Sequence, residues 1–152
     1  MGATGGLKER LAGEIREAMR ARDEVRLSAL RLLSAAVRNR EVELRRELSD
    51  DEVREVALRE ARKRDEAREA YERAGREDLA ARERAQAEAL GPYLPALLSE
   101  EELDALVEEA IAATGASSPR DLGKVMGFVM GRARGKVDGA RVRERVAARL
   151  GA

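Results

Sequence analysis

The 152-residue sequence has no cysteine, no histidine and no tryptophan. Without thiol or imidazole there is no disulfide framework, no thiolate nucleophile, no sulfur- or nitrogen-ligated metal and no histidine base. Acid–base chemistry is left to carboxylates, Tyr71 and Tyr93, and four lysines: Lys8, Lys63, Lys124 and Lys136. The other 26 of the 30 basic residues are arginine, which binds phosphate and carboxylate far more than it transfers protons. Phe128 is the only other aromatic residue, so the core has to be built from Leu, Val, Ala, Ile and Met, a composition that favours helices. No apolar run approaches the roughly 20 residues of a membrane span, and the start lacks the basic-then-apolar layout of a signal peptide. Met1-Gly2 opens like a myristoylation signal, but Gly6 stands where Ser or Thr is required. These absences lead us to expect a cytoplasmic protein with no cofactor and no metal.

What is abundant is charge: 39% of the residues, with 30 basic and 30 acidic side chains cancelling to zero. After a glycine-rich start (Gly2, Gly5, Gly6), expected to be mobile, Leu7, Leu11, Ile15 and Met19 form the stripe of an amphipathic helix. A break is expected at Arg22-Asp23. The next helix carries Leu27, Leu30, Leu33 and Val37 on one side and Val25, Ala29, Leu32 and Ala36 on another, as if covered on both and central to the N-terminal half. Ser49 with Glu52 is a capping box that starts a third helix. That helix has a thin apolar side (Val53, Val56, Ala57, Ala67, Tyr71, Ala74) and favourable i,i+4 pairs, Glu55/Arg59, Glu60/Arg64, Glu69/Arg73 and Glu72/Arg76. Its charge run reads first as a solvated face. Gly75 should stop it, and Asp78 should cap a short fourth helix running to Leu90.

All three prolines and eight of the thirteen glycines lie from Gly91 onward, so Gly91-Pro92-Tyr93-Leu94-Pro95 reads as a domain boundary. Residues 1–90 then form an N-terminal helical domain and 91–152 a C-terminal one, with Tyr93, Leu94, Leu97 and Leu98 expected to pin the halves together. Ser99 and Glu102 form a second capping box, for a helix with Leu103, Leu106, Val107, Ala110 and Ile111 inward and Gly115 as its stop. Ser118-Pro119 opens another, with Leu122, Val125, Met126, Val129, Met130 and Ala133 inward. Asp138 caps a last helix carrying Val142, Val146 and Leu150. The fold class is all-α: a bundle of about four helices followed by a small three-helix, tail-like domain.

The zero charge is not uniform. Residues 1–90 are neutral, 91–118 carry six acidic residues and no basic one, and 119–152 carry nine basic and three acidic. Clustered cations allow a nucleic-acid footprint despite a neutral total, although the acidic and basic helices could instead face one another. Glycine recurs at 123, 127, 131, 135 and 139. Three glycines inside a helix cost together roughly 2 to 3 kcal/mol relative to alanine. Gly123, Gly127 and Gly131 form a smooth flank beside the apolar stripe, where another helix of the protein or a sugar-phosphate backbone could approach. The charged Lys124, Arg132 and Arg134 exclude a membrane GxxxG dimer. Phe128 falls beside Lys124 and away from the apolar stripe, a candidate contact residue or a contact with the N-terminal half. At Gly135-Lys136-Val137-Asp138-Gly139 the free amides of a helix start would attract phosphate, but Asp138 competes for them. The glycine spacing of a P-loop is absent.

Tyr93-Leu94-Pro95, Ser99-Glu100-Glu101-Glu102-Leu103, Gly123-Lys124-Val125-Met126-Gly127 and Lys136-Val137-Asp138-Gly139, in this order, resemble the YqeY family, as does Arg26-Leu27-Ser28-Ala29-Leu30-Arg31. The resemblance runs from about Leu7 to Leu150. This family is similar to the C-terminal helical and tail parts of GatB, the subunit of tRNA-dependent amidotransferases that delivers ammonia to glutamate or aspartate already charged on tRNA. Its label, a carbon–nitrogen ligase activity with glutamine as amide donor, presupposes an amidase site and an ATP–magnesium site for which this chain has no room. The resemblance implies instead that the tail helps to hold tRNA. Phe128 is larger than the small residue expected after Val-Met-Gly.

We therefore expect a noncatalytic helical adaptor that binds structured RNA, most simply tRNA. Amidotransferase or aminoacyl-tRNA synthetase components are its expected protein partners, and no membrane is involved. The candidate RNA-binding residues are Lys124, Gly127, Phe128, Arg132, Arg134, Lys136, Arg141 and Arg145; no catalytic residue is assigned. Phosphate and shape should dominate, because three aromatics are too few for stacking single strands. The competing reading is a protein-interaction scaffold using the N-terminal helices, without nucleic acid. A DNA-binding helix-turn-helix around Gly115 would carry glycines in its recognition helix, and no carboxylate pair stands in an apolar setting suited to catalysis.

Overall fold

The computed structural model describes residues 6–151, so the glycine-rich start before Gly6 lies outside the described residues. The chain is all-helical, with no strand among the described residues. Its helices are α1 (Leu7–Ala21), α2 (Glu24–Leu44), α3 (Asp50–Arg73), α4 (Glu77–Ala89), α5 (Glu100–Thr114), α6 (Leu122–Ala133) and α7 (Gly139–Arg149). Single 3-10 turns occupy Gly91–Tyr93 and Pro119–Asp121. Two compact units meet in sequence between Leu94 and Pro95.

In the first unit Arg22 takes the left-handed conformation that ends α1, and the Asp23 carboxylate accepts from Arg26 N to start α2. Leu7, Leu11 and Ala18 are buried, whereas Met19, expected inward, is 51% exposed. The reason is helical drift. Steps of four residues advance about 40° each, so Met19 lies about 120° from Leu7 while Ala18 lies only about 20° away. α2 buries Ala29, Leu30, Leu33 and Val37, but its second side is incompletely covered. Leu32 lies about 200° around the helix from Leu30 and is 42% exposed.

The Ser49–Glu52 capping box is formed in both directions, and α3 buries Val53, Val56, Ala57 and Ala61. It ends in a Schellman motif, with Gly75 at φ 73° and hydrogen bonds from Gly75 N to Glu72 O and from Arg76 N to Tyr71 O. The charge run is only partly a solvated face. Glu60 on α3 and Glu83 and Gln86 on α4 are buried; Arg64 Nη1 donates to Glu83 Oε1 at 3.2 Å and Gln86 Nε2 to Ser28 Oγ at 3.2 Å. Glu60 therefore pairs with Lys63 rather than Arg64, and Glu72 with Arg68 and Arg84. α4 begins at Glu77, one residue before the expected cap; Asp78 sits in its first turn, bonded to the Arg76 guanidinium. Leu90 and Tyr93 close this core with Leu94 packed against it. The Tyr93 hydroxyl donates to Glu14 Oε1 at 2.5 Å.

The second unit starts with the Ser99–Glu102 capping box, also formed in both directions, and α5 ends at Gly115, φ 68°. Leu103, Val107 and Ala110 of α5, Val125, Val129 and Ala133 of α6, and Val142 and Val146 of α7 build its core. Leu98 packs against this core, and its amide donates to Lys136 O at 2.8 Å. Val137, 5% exposed, anchors the turn before α7. Asp138 caps α7 by accepting from Ala140 N at 3.1 Å.

Candidate nucleic-acid interface

The candidate interface lies in the second unit, on α6, the following turn and α7. The inward stripe of α6 turns Gly123, Gly127 and Gly131 to the outside. All three are exposed, and apart from its chain neighbours and the backbone of α6 itself a Cβ built on any of them would meet nothing within 4 Å. Neither α5 nor α7 uses this flank for close packing. Lys124 shares the exposed face, its Nζ 3.6 Å from Asp121 Oδ1. Phe128 is half-buried against the second core, and the Arg132 guanidinium stacks over its ring at 4.7 Å from the centroid. It is thus a covered residue at the edge of the face. Arg134 terminates α6 and is exposed, as is Lys136, whose ammonium has no partner among the described residues.

The remaining candidates face the acidic helix. Arg132 Nη1 bonds both Glu109 oxygens at 3.1 Å. Arg141 reaches Glu100 at 2.5 Å, and Arg145 bonds Glu100 and, at 2.5 Å, Asp104. Arg149, which the sequence reading left out, reaches Glu108 at 2.5 Å. These bonds hold the Glu100 carboxyl below the usual range through Arg141 and Arg145, and that of Glu108 through Arg149. The same contacts raise Arg145, through Asp104 and then Glu100, and Arg149, through Glu108. The acidic and basic helices therefore neutralise one another along α7. The signal was present in the sequence: Glu100, Asp104 and Glu108 repeat every fourth residue, and so do Arg141, Arg145 and Arg149. Arg143, about 200° around α7 from Arg141, points away from this seam. It is exposed and, like Arg120, has no partner among the described residues.

This arrangement offers a glycine-smoothed helix face bordered by cations. Among the described residues no group of three carboxylates could hold a metal ion, and no helix is long and apolar enough to cross a membrane. The family profile described as "Yqey-like protein" matches residues 8–150. The chain belongs to the YqeY family. No curated protein matches this YqeY-family chain. The motifs on which the resemblance rested fall at structurally decisive places: Tyr93 in the first core, Ser99 and Glu102 at the start of α5, Gly123 and Gly127 on the open face of α6, and Asp138 at the cap of α7.

Proposed function

We propose that this YqeY-family chain is a noncatalytic adaptor whose C-terminal unit binds structured RNA, with tRNA as the class and the tRNA-dependent amidotransferase system as its setting. The observation that carries the reading is the open glycine flank of α6. Gly127 and Gly131 lie inside α6, with Gly123 in its first turn; the two inner glycines alone cost roughly 2 kcal/mol relative to alanine, yet no side chain packs where a Cβ of any of the three would be. A partner whose backbone comes close to this face accounts for them, and the neighbouring Lys124, Arg134 and Lys136 suit a sugar-phosphate chain. Phe128 and Arg132 border the face, and Arg141 and Arg145 lie beyond it on α7. The resemblance to the GatB tail supplies the choice of tRNA.

Contact with three to four phosphates gives a slope of log affinity against log salt of roughly −2 to −4. Filter binding of bulk tRNA at two salt concentrations tests this, with Lys124→Ala plus Lys136→Ala as the variant. The pair should weaken binding and flatten the slope by about 2. Absence of binding at low salt, or binding that the double variant leaves unchanged, rejects the proposal. Protein partners whose capture survives nuclease would favour the scaffold reading instead.

A further inference from the structure

We infer that α5 is a built-in competitor for the polyanion, occupying the arginines of α7 until an anion displaces it. The inference rests on the reading above only for the identity of the polyanion. Glu100, Asp104 and Glu108 stand one helical turn apart on α5, about 6 Å between successive carboxylates at 1.5 Å rise per residue. They meet Arg141, Arg145 and Arg149, which have the same spacing on α7. A row of carboxylates thus stands where a row of phosphates would otherwise bind, using the acceptor chemistry that arginine recognises in both.

The seam is made to exchange. The side chains of Glu100, Asp104 and Glu108 are 50%, 61% and 53% exposed and those of Arg141 and Arg149 are 54% and 52% exposed, whereas the central Arg145 is 26% exposed and is the last to be released. The outer pairs, this open to water, are weak and salt-screened, and Leu103 and Val107 of α5 and Val142 and Val146 of α7 are held in one buried cluster with Val125 and Val129 of α6. α7 can therefore give its guanidinium groups to phosphate without losing its core. Arg143, about 200° around α7 from Arg141, and the exposed Lys136 and Arg120 carry no such occupant among the described residues, so a polyanion meets those cations first.

Two triple variants of the full chain, each removing three negative charges, separate this device from a simple gain of net charge. Glu100→Gln/Asp104→Asn/Glu108→Gln opens the seam. Glu88→Gln/Glu101→Gln/Glu144→Gln removes three exposed acids that form no ion pair with its arginines. On immobilised heparin the seam variant should elute at higher salt than the control variant; equal elution overturns the inference. Where tRNA binds, its salt slope should steepen by about 2 to 3 in the seam variant, one phosphate for each arginine released, and by less than 1 in the control; equal slopes overturn the inference. Should the seam variant lose its circular dichroism, the complementary test uses the arginines in the native background. Arg141→Gln/Arg145→Gln/Arg149→Gln should reduce heparin retention less than Arg120→Gln/Lys136→Gln/Arg143→Gln, and an equal or larger reduction overturns the inference. A seam variant that gains on heparin while no variant binds tRNA rejects the tRNA reading and leaves the competitor in place.

Discussion

Gly127 shows how one residue can oppose stability and function. It sits inside α6 with an ordinary helical backbone and open space where a side chain would be. Alanine there removes backbone freedom from the unfolded chain without a clash in the folded one. Gly127→Ala should therefore stabilise the second unit by about 0.5 to 1 kcal/mol, read as a higher urea midpoint, while weakening tRNA binding. A destabilised variant would mean that the flank is packed after all. Tyr93 is the opposite case, because it is fully buried and its hydroxyl satisfies Glu14. Burial pushes the Glu14 carboxyl up, but the bonds from Tyr93 and Arg10 and the charges of Arg10 and Arg26 more than offset this and hold it below its ordinary value. Tyr93→Phe should cost roughly 1 to 3 kcal/mol through the donor that Glu14 loses. Carboxyl NMR should show Glu14 titrating at higher pH in the variant.

The two capping boxes make a paired test of helix starts. Ser49→Ala and Ser99→Ala each remove the acceptor for an N3 amide and should each cost about 1 kcal/mol. Both boxes weaken in acid, since the Ser99 amide holds the Glu102 carboxyl below its ordinary value, but the first has a second partner. Glu52 is engaged first by the Arg46 guanidinium and then by the Ser49 amide, and its pKa is lowered to about 2. A carboxyl lowered in the folded state contributes stability that is complete above its unfolded value, about 4.5, and lost as pH falls toward the folded one. The protection of amides at the start of α3, taken relative to their intrinsic exchange rates, should therefore be full at about pH 5 and fall progressively toward about pH 2. Glu52→Gln should flatten that profile.

Such local chemistry is what a sequence discloses best. Ser–x–x–Glu, Gly75 and Gly115 each settle a terminus within a few residues. The buried stripe of α1 was nearly legible, and failed only where a four-residue spacing was extended past the point at which drift transfers burial from Met19 to Ala18. Pairing between helices was less accessible. Arg64 could choose Glu60 on its own helix, and the actual partner, Glu83, became available only once α4 packed on α3. The α5–α7 seam joins residues 41 to 45 positions apart; the reading that the acidic and basic helices face one another holds along it, and only the choice of individual partners required the fold. The open side of α6 was legible as a face, since glycines, Lys124 and the apolar stripe sort by angle. That no neighbour fills it required the fold.

For the molecule as a whole, the cancelling charges predict a salt response whose sign depends on pH. At pH 7 the 30 basic and 30 acidic side chains sum to zero, and the surface is laced with attractive pairs in both units, among them Lys8–Glu41, Arg46–Glu52, Arg141–Glu100 and Arg149–Glu108. Salt near 1 M shortens the screening length to about 3 Å and weakens exposed attractions of this kind, so the melting temperature should fall slightly on adding sodium chloride. Acid reverses the balance. The carboxyls of Glu52, Glu100 and Glu108 are lowered in the folded state, so their stabilisation is lost as pH drops through and below the ordinary carboxylate range. Neutralising the acids leaves up to 30 cationic side chains without counterparts. Self-repulsion then opposes the compact state, and at about pH 3, below the ordinary carboxylate values, the same salt should raise the melting temperature. Thermal melts by circular dichroism at the two pH values, with and without 1 M salt, read this directly. A melting temperature that rises with salt at both would mean that the pairs contribute no net attraction at neutral pH, and that the zero is a balance of numbers rather than of placement.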